Sequence, residues 1–150
     1  MMSRLGFIPL LLALAGCGDF PRDPHGTLDR IRAERQFRVG LVAPLGEEAL
    51  DPRAAALLGR VGTAAGAAPR FARGDMETML DRLETGEVEL VLGRFDAKSP
   101  WSKMVSFSPP LAREKQGKTE FMLAAAMRNG ENGWIALVEK AARDVAPEAQ

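Results

Sequence analysis

After an unbroken apolar run at residues 5–15, the hydrophobic positions of this chain alternate between helical and extended spacing. Leu28 and Ile31 share one face of a short predicted helix over residues 28–35, with Thr27 placed to cap it. Residues 37–42 (FRVGLV) predict a strand, and Ala43, Pro44, Leu45 and Gly46 break it. The alanine-rich stretch 52–66 predicts a second helix that starts at Pro52 and tolerates Gly59 and Gly62. Residues 70–73 are a short strand candidate. Behind a capping Asp75, Met76, Met79, Leu80 and Leu83 recur at helical spacing until Gly86 stops the helix. Residues 88–92 (VELVL) carry the strongest strand signal, ended by Gly93. A shorter extended run, 104–107, stops at Ser108-Pro109-Pro110; a polar link over 113–119 then leads to a strand over 121–127. The last helix follows Gly130–Gly133 and buries Trp134, Ile135, Leu137, Val138, Ala141, Ala142 and Val145. Strands alternating with helices predict an α/β fold, a single mainly parallel sheet flanked by helices.

The opening run sets the expected compartment. Arg4 supplies a positive start, and the apolar stretch behind it is too short for a stable membrane span. It ends in Leu14-Ala15-Gly16-Cys17, small residues before a cysteine, which resembles a bacterial lipobox. Residues 1–16 are therefore expected to be a lipoprotein signal peptide, with Cys17 the lipid attachment site. The competing reading is a buried free thiol. Cys17 is the chain's only cysteine, so it has no disulfide partner in an oxidising compartment. The expected location is the periplasmic face of a bacterial membrane, inner or outer, with membrane lipid as one partner through acylated Cys17. Residues 17–26 form a linker rich in proline and glycine, residues 27–146 one lobe, and 147–150 a tail.

Charge and composition narrow the partners. The whole chain holds 20 basic and 20 acidic residues; loss of the signal peptide removes only Arg4. Without a basic excess or any tyrosine, nucleic acid is not an expected partner. A catalytic reading finds no Gly-x-Ser-x-Gly, no phosphate loop and no metal-ligand spacing, so no catalytic residue, metal or cofactor is assigned. The single histidine, His25, reads as a solvent-exposed linker residue, and the adjacent Glu47 and Glu48 as a solvated turn or paired carboxylates.

Four stretches in order carry a resemblance: TLDRIRAERQFRVGLVAP (27–44), METMLDRLETGEVELVLGRF (76–95), WSKMVSFSPPL (101–111) and GENGWIALVEKAARD (130–144). Together they resemble the bacterial extracellular solute-binding proteins of the polar-amino-acid class, family 3. That family builds two α/β lobes that close over a ligand, the second lobe inserted after the segment matched by Phe107-Ser108. Here only residues 111–120 separate that segment from the return strand, too few for a second domain. The resemblance therefore implies a single-lobe version. It also puts Trp101 where the family has the arginine that grips a ligand's α-carboxylate; an indole offers one N–H where a guanidinium offers a fork.

Ligands of open parallel sheets meet the C-terminal strand ends. The loops there, 43–51 and 93–102, hold Glu47, Glu48, Arg94, Asp96, Ser99 and Trp101, which are the candidate ligand-binding residues. Arg94 could replace the missing charge, and Trp101 reads equally as sheet-edge core. The function expected is substrate recognition for an ABC-type transporter, without enzyme activity, its partners a small polar solute and a permease or other envelope protein. The alternative is a degenerate lobe acting as an envelope interaction module without a small-molecule ligand.

Overall fold

The computed structural model describes residues 23–43, 45 and 50–149; the apolar leader, Cys17, Glu47 and Glu48 lie outside the described residues. In chain order the elements are α1 (Thr27–Glu34), β1 (Gln36–Val42), α2 (Pro52–Ala65), β2 (Ala68–Gly74), α3 (Met76–Glu84), β3 (Leu90–Asp96), β4 (Val105–Phe107), β5 (Ala112–Gln116), β6 (Thr119–Arg128) and α4 (Asn132–Val145). A 3₁₀ turn, Pro100–Lys103, lies between β3 and β4, and another, Pro147–Ala149, follows α4.

The strands form one sheet in the order β2-β1-β3-β6-β4, with β5 also paired to β6. β1 pairs in parallel with β2 and β3, while β6 runs antiparallel to β3, β4 and β5. Five strands thus share a direction and β6 alone opposes them, so the α/β sheet is mixed where β6 enters it. β4 and β5 lie end to end along one edge of β6. Between them Pro109 and Pro110 have no amide hydrogen to give, and the Ser108 hydroxyl accepts the Ala125 N–H at 3.0 Å.

Alternation along the strands divides the core into two. Phe37, Val39, Leu90 and Leu92 pack with Ile31, Leu57, Val61, Trp134 and Val138, under α1, α2 and α4. Val42, Val91, Phe95 and Val105 pack under α3 with Met79, Leu80 and Leu83. Trp134 is fully buried; its indole N–H donates to the Glu89 carbonyl at 2.8 Å, and its ring stands edge-on to Phe37 at 5.7 Å. On the other face Met79 crosses two glycines. A Cβ at Gly40 or at Gly74 would stand 2.9 Å from its side chain, so these glycines let α3 approach the sheet.

One buried carboxylate needs its partners. Glu89, 4 % exposed, accepts the Arg38 amide at 2.6 Å, pairs with the Arg38 guanidinium and lies 3.3 Å from Arg30. The hydrogen bond to Glu89 holds the Arg38 guanidinium above its ordinary pKa against the opposing effect of burial.

Three local expectations change. Thr27 does not cap α1: it lies inside the helix behind Gly26, which has φ 64° and no capping side chain. Gly93 does not end its strand, because β3 runs through it to Asp96; there Phe95 and Val42 approach within 3.3 Å of where its Cβ would be. The polar link over 113–119 is a hairpin. β5 and β6 pair from Ala112↔Leu123 to Gln116↔Thr119, turning at Gly117 (φ 62°) and Lys118. β5 stands in solvent, so it carries no apolar alternation to announce the hairpin.

Candidate ligand-binding site

The C-terminal ends of β1, β2 and β3 lie together, and the β5–β6 hairpin extends the same end of the sheet. α3 begins there, capped as expected by Asp75, whose carboxylate accepts the Thr78 amide at 2.9 Å. That bond is the main cause holding the Asp75 carboxyl below its usual pKa. The Ala43 amide donates to the Gly74 carbonyl at 3.2 Å, tying the start of the first loop to β2.

Arg94 and Asp96 sit on the same face of β3. The register places Arg94 opposite Leu123 and, beyond it, Ala112, so its guanidinium reaches diagonally to Glu114 at 2.6 Å. It also covers the Phe121 ring at 5.6 Å. Arg94 is thus engaged by the hairpin. Asp96 accepts the Lys98 amide at 2.8 Å, and Ser99, itself buried, accepts the Trp101 amide at 3.3 Å to open the 3₁₀ turn. Both side chains are used in shaping the loop.

Trp101 lies elsewhere. It is half-buried against the α3 cluster, the face opposite Arg94. It lines a cavity of about 210 Å³ with Arg128 and Asn129. Because Asp96 pairs with Phe121 and Val91 with Ala126, Arg128 lies toward the N-terminal end of β3. The structure therefore brings Arg94 and Asp96 to one end, uses Ser99 to cap the turn that holds Trp101, and sets the indole against the other face of the sheet.

What faces Asp96 instead comes from the hairpin. Asp96, Lys98, Lys115, Lys118 and Glu120 line a cavity of about 420 Å³. None of the three ammonium groups has an ion-pair partner among the described residues, whereas Glu120 lies 3.5 Å from Arg113. Three cations and two carboxylates around one hollow suit a small solute bearing a carboxylate. Lys115, Lys118 and Glu120 were hidden by reading their segment as a link; the Gly117-Lys118 pair between two extended runs is the hairpin signal.

At the far side of the molecule His25 is half-exposed but not idle, with Nδ1 2.7 Å from the buried Glu131 carboxylate. Burial pushes the Glu131 carboxyl up, and the donors of Thr27 and His25 outweigh it, holding it below its ordinary pKa. Among the described residues no group of three or more His, Cys, Asp and Glu is placed to hold a metal ion, and no helix is long and apolar enough to cross a membrane.

No protein-family model matches the chain, and no curated protein matches its sequence. Solved structures do match. The arginine-bound form of domain 1 from TmArgBP, of T. maritima, is 17% identical with TM-score 0.64, over 77% of this chain and 98% of that one. An amino acid ABC transporter substrate-binding protein from Streptococcus pneumoniae, bound to L-arginine, is 10% identical with TM-score 0.67, over 81% and 92%. The ancestral cationic amino acid solute binding protein AncCDT-1 is 12% identical with TM-score 0.65, over 81% and 94%. The chain has the fold of a single lobe of the amino-acid solute-binding proteins.

Proposed function

We propose that this protein is a lipid-anchored solute-binding lobe that presents a small solute of the amino-acid class to an ABC-type permease. The observation that carries this reading is the fold: the match covers 98% of domain 1 of TmArgBP, a single domain known in an arginine-bound form. A lobe without its partner is thus able to hold a solute. In this chain the charged hollow of Asp96, Lys98, Lys115, Lys118 and Glu120 is the proposed seat, the lysines taking the carboxylate and the acidic pair the ammonium. The protein binds without catalysis, and Cys17 carries the anchor that keeps it beside its transporter in the periplasm.

Thermal melting of the full chain in detergent tests the binding, with L-arginine, L-glutamate and L-leucine as separate solutes. A ligand held only by the folded state raises the midpoint, by about 2.7 kcal/mol of stability at one hundred times Kd. Unchanged midpoints with all three would overturn the reading. Cys17→Ala tests the anchor: the variant is expected in the soluble fraction, and retention in the membrane pellet would count against lipidation.

One observation favours the second reading, an envelope interaction module. Beside the edge strand β2, Leu50, Leu58, Gly62, Pro69 and Phe71 form an apolar groove of about 540 Å³ in which Phe71 is 47 % exposed. Cross-linking in the native membrane that fails with Phe71→Asp, together with flat solute melts, would place this reading first.

A further inference from the structure

The cavity beside Trp101 is separate from the charged hollow at the strand ends, and its lining is chemically divided. On one side α3 presents Asp81 and Glu84, three residues apart and so neighbours on one helix face. On another, β6 ends in Arg128. Leu83, Trp101 and Met104 line the space between them. Trp101 is half-buried, and Met104 is 53 % exposed, an unusual setting for a large apolar side chain that nothing else covers.

The charges are close enough to share a cavity, yet they do not pair. The side chains of Asp81, Glu84 and Arg128 make no ion pair or hydrogen bond among the described residues. Arg128 lies beside the C-terminal end of α3, its Nη1 3.7 Å from where a Cβ at Gly86 would stand, a position where the helix dipole favours a cation. The space of about 210 Å³ has room for about seven waters at about 30 Å³ each. A molecule of that size with separated positive and negative ends would satisfy both walls, and an apolar side chain would cover the indole and Met104.

We propose that this cavity is a second ligand site, taking a small zwitterion with an apolar side chain: its carboxylate on Arg128, its ammonium on Asp81 and Glu84, its side chain on Trp101. The site goes beyond the solute seat at the strand ends, because it lies on the other face of the sheet and uses none of the same residues.

The chain's two tryptophans allow a direct test. Trp134 is fully buried, so acrylamide quenching of the full chain reports on Trp101. L-leucine at ~10 mM is expected to protect Trp101, a millimolar Kd corresponding to roughly −4 kcal/mol. Its two halves are the controls: 4-methylpentanoate lacks the ammonium and 3-methylbutan-1-amine lacks the carboxylate. Each should bind at least about tenfold more weakly, the loss of one charge contact. Arg128→Gln and the pair Asp81→Asn with Glu84→Gln should each remove the protection by leucine while leaving the melting midpoint near that of the parent chain. Lys115→Ala with Lys118→Ala should leave it intact, whatever becomes of binding at the strand ends. No protection by leucine, equal protection by either half-molecule, or protection that survives Arg128→Gln would each overturn the proposal. Leucine binding that raises the melting midpoint without shielding Trp101 would do the same and leave the strand-end seat standing.

Discussion

Asp23 and Glu131 each cap the helix that follows the other. Asp23, before α1, accepts the Gly133 amide at 2.6 Å and the Trp134 amide at 3.2 Å, at the start of α4; its second oxygen takes the Leu28 amide at 2.9 Å. Glu131, before α4, accepts the amides of His25 at 3.0 Å and Thr27 at 3.1 Å, at the start of α1. Two helix ends more than a hundred residues apart in the chain are thereby joined, each taking part of its cap from the residue that precedes the other helix.

Glu131 makes this junction acid-sensitive. Its folded pKa lies below the ordinary value of 4.5, so the unfolded chain binds the proton more tightly. The stabilisation is complete above the unfolded value and is lost as pH falls through the folded one. Urea unfolding should show the difference between the parent chain and Glu131→Gln holding constant near neutral pH and shrinking in the acid range. At neutral pH the substitution should cost about 1.5–3 kcal/mol, the contribution of hydrogen bonds to a charged acceptor. A difference independent of pH would mean that Glu131 acts by shape alone.

Trp134 anchors α4 to the sheet through one hydrogen bond and a large apolar surface. Trp134→Phe keeps an aromatic ring, removes the bond to the Glu89 carbonyl and leaves part of the site empty. The expected cost is about 2–4 kcal/mol, measured by urea unfolding with an unchanged slope.

The parts of the fold that bury an amphipathic face are the parts that could be read from the chain. Met79, Leu80 and Leu83 mark α3, and Trp134, Val138, Ala141 and Ala142 mark α4, because each set must cover the sheet. β5 buries little and so left no periodicity, while β6 was legible; the Gly117-Lys118 pair alone hints at the hairpin. The charged hollow at the strand ends was missed with it, since Lys115 and Lys118 belong to that hairpin. Trp101 shows the other limit. Its place in the chain suggested a rim, but the loop after β3 doubles back toward β4, and the indole follows the apolar surface of α3. The Glu131 cap of α1 was unreadable for a simpler reason: Glu131 is 104 residues from Thr27.

The Arg94–Glu114 pair joins β3 to the hairpin at a distance of 2.6 Å, but both side chains are substantially exposed, at 41% and 63%. Solvent and salt screen such a pair, so a double-mutant cycle of Arg94→Ala and Glu114→Ala should give a coupling of under about 1 kcal/mol. A larger coupling would show that the hairpin is docked more rigidly than its exposure suggests.

The lysines of the hairpin should matter for binding rather than for folding. Lys115 and Lys118 are exposed and have no ion-pair partner among the described residues, so replacing both with alanine should change stability by no more than about 0.5 kcal/mol. If they take a solute's carboxylate, the same pair of substitutions should weaken L-glutamate about tenfold or more, equivalent to about 1.4 kcal/mol. The parent chain's affinity should also fall steeply as salt is raised, because exposed charges are screened within about 10 Å at 0.1 M and about 3 Å at 1 M ionic strength. The double variant should show a flatter salt dependence, since only Lys98 of the three cations remains to be screened. Calorimetric titration at several salt concentrations separates the cases: equal slopes in the two proteins would mean that the solute's carboxylate is held elsewhere.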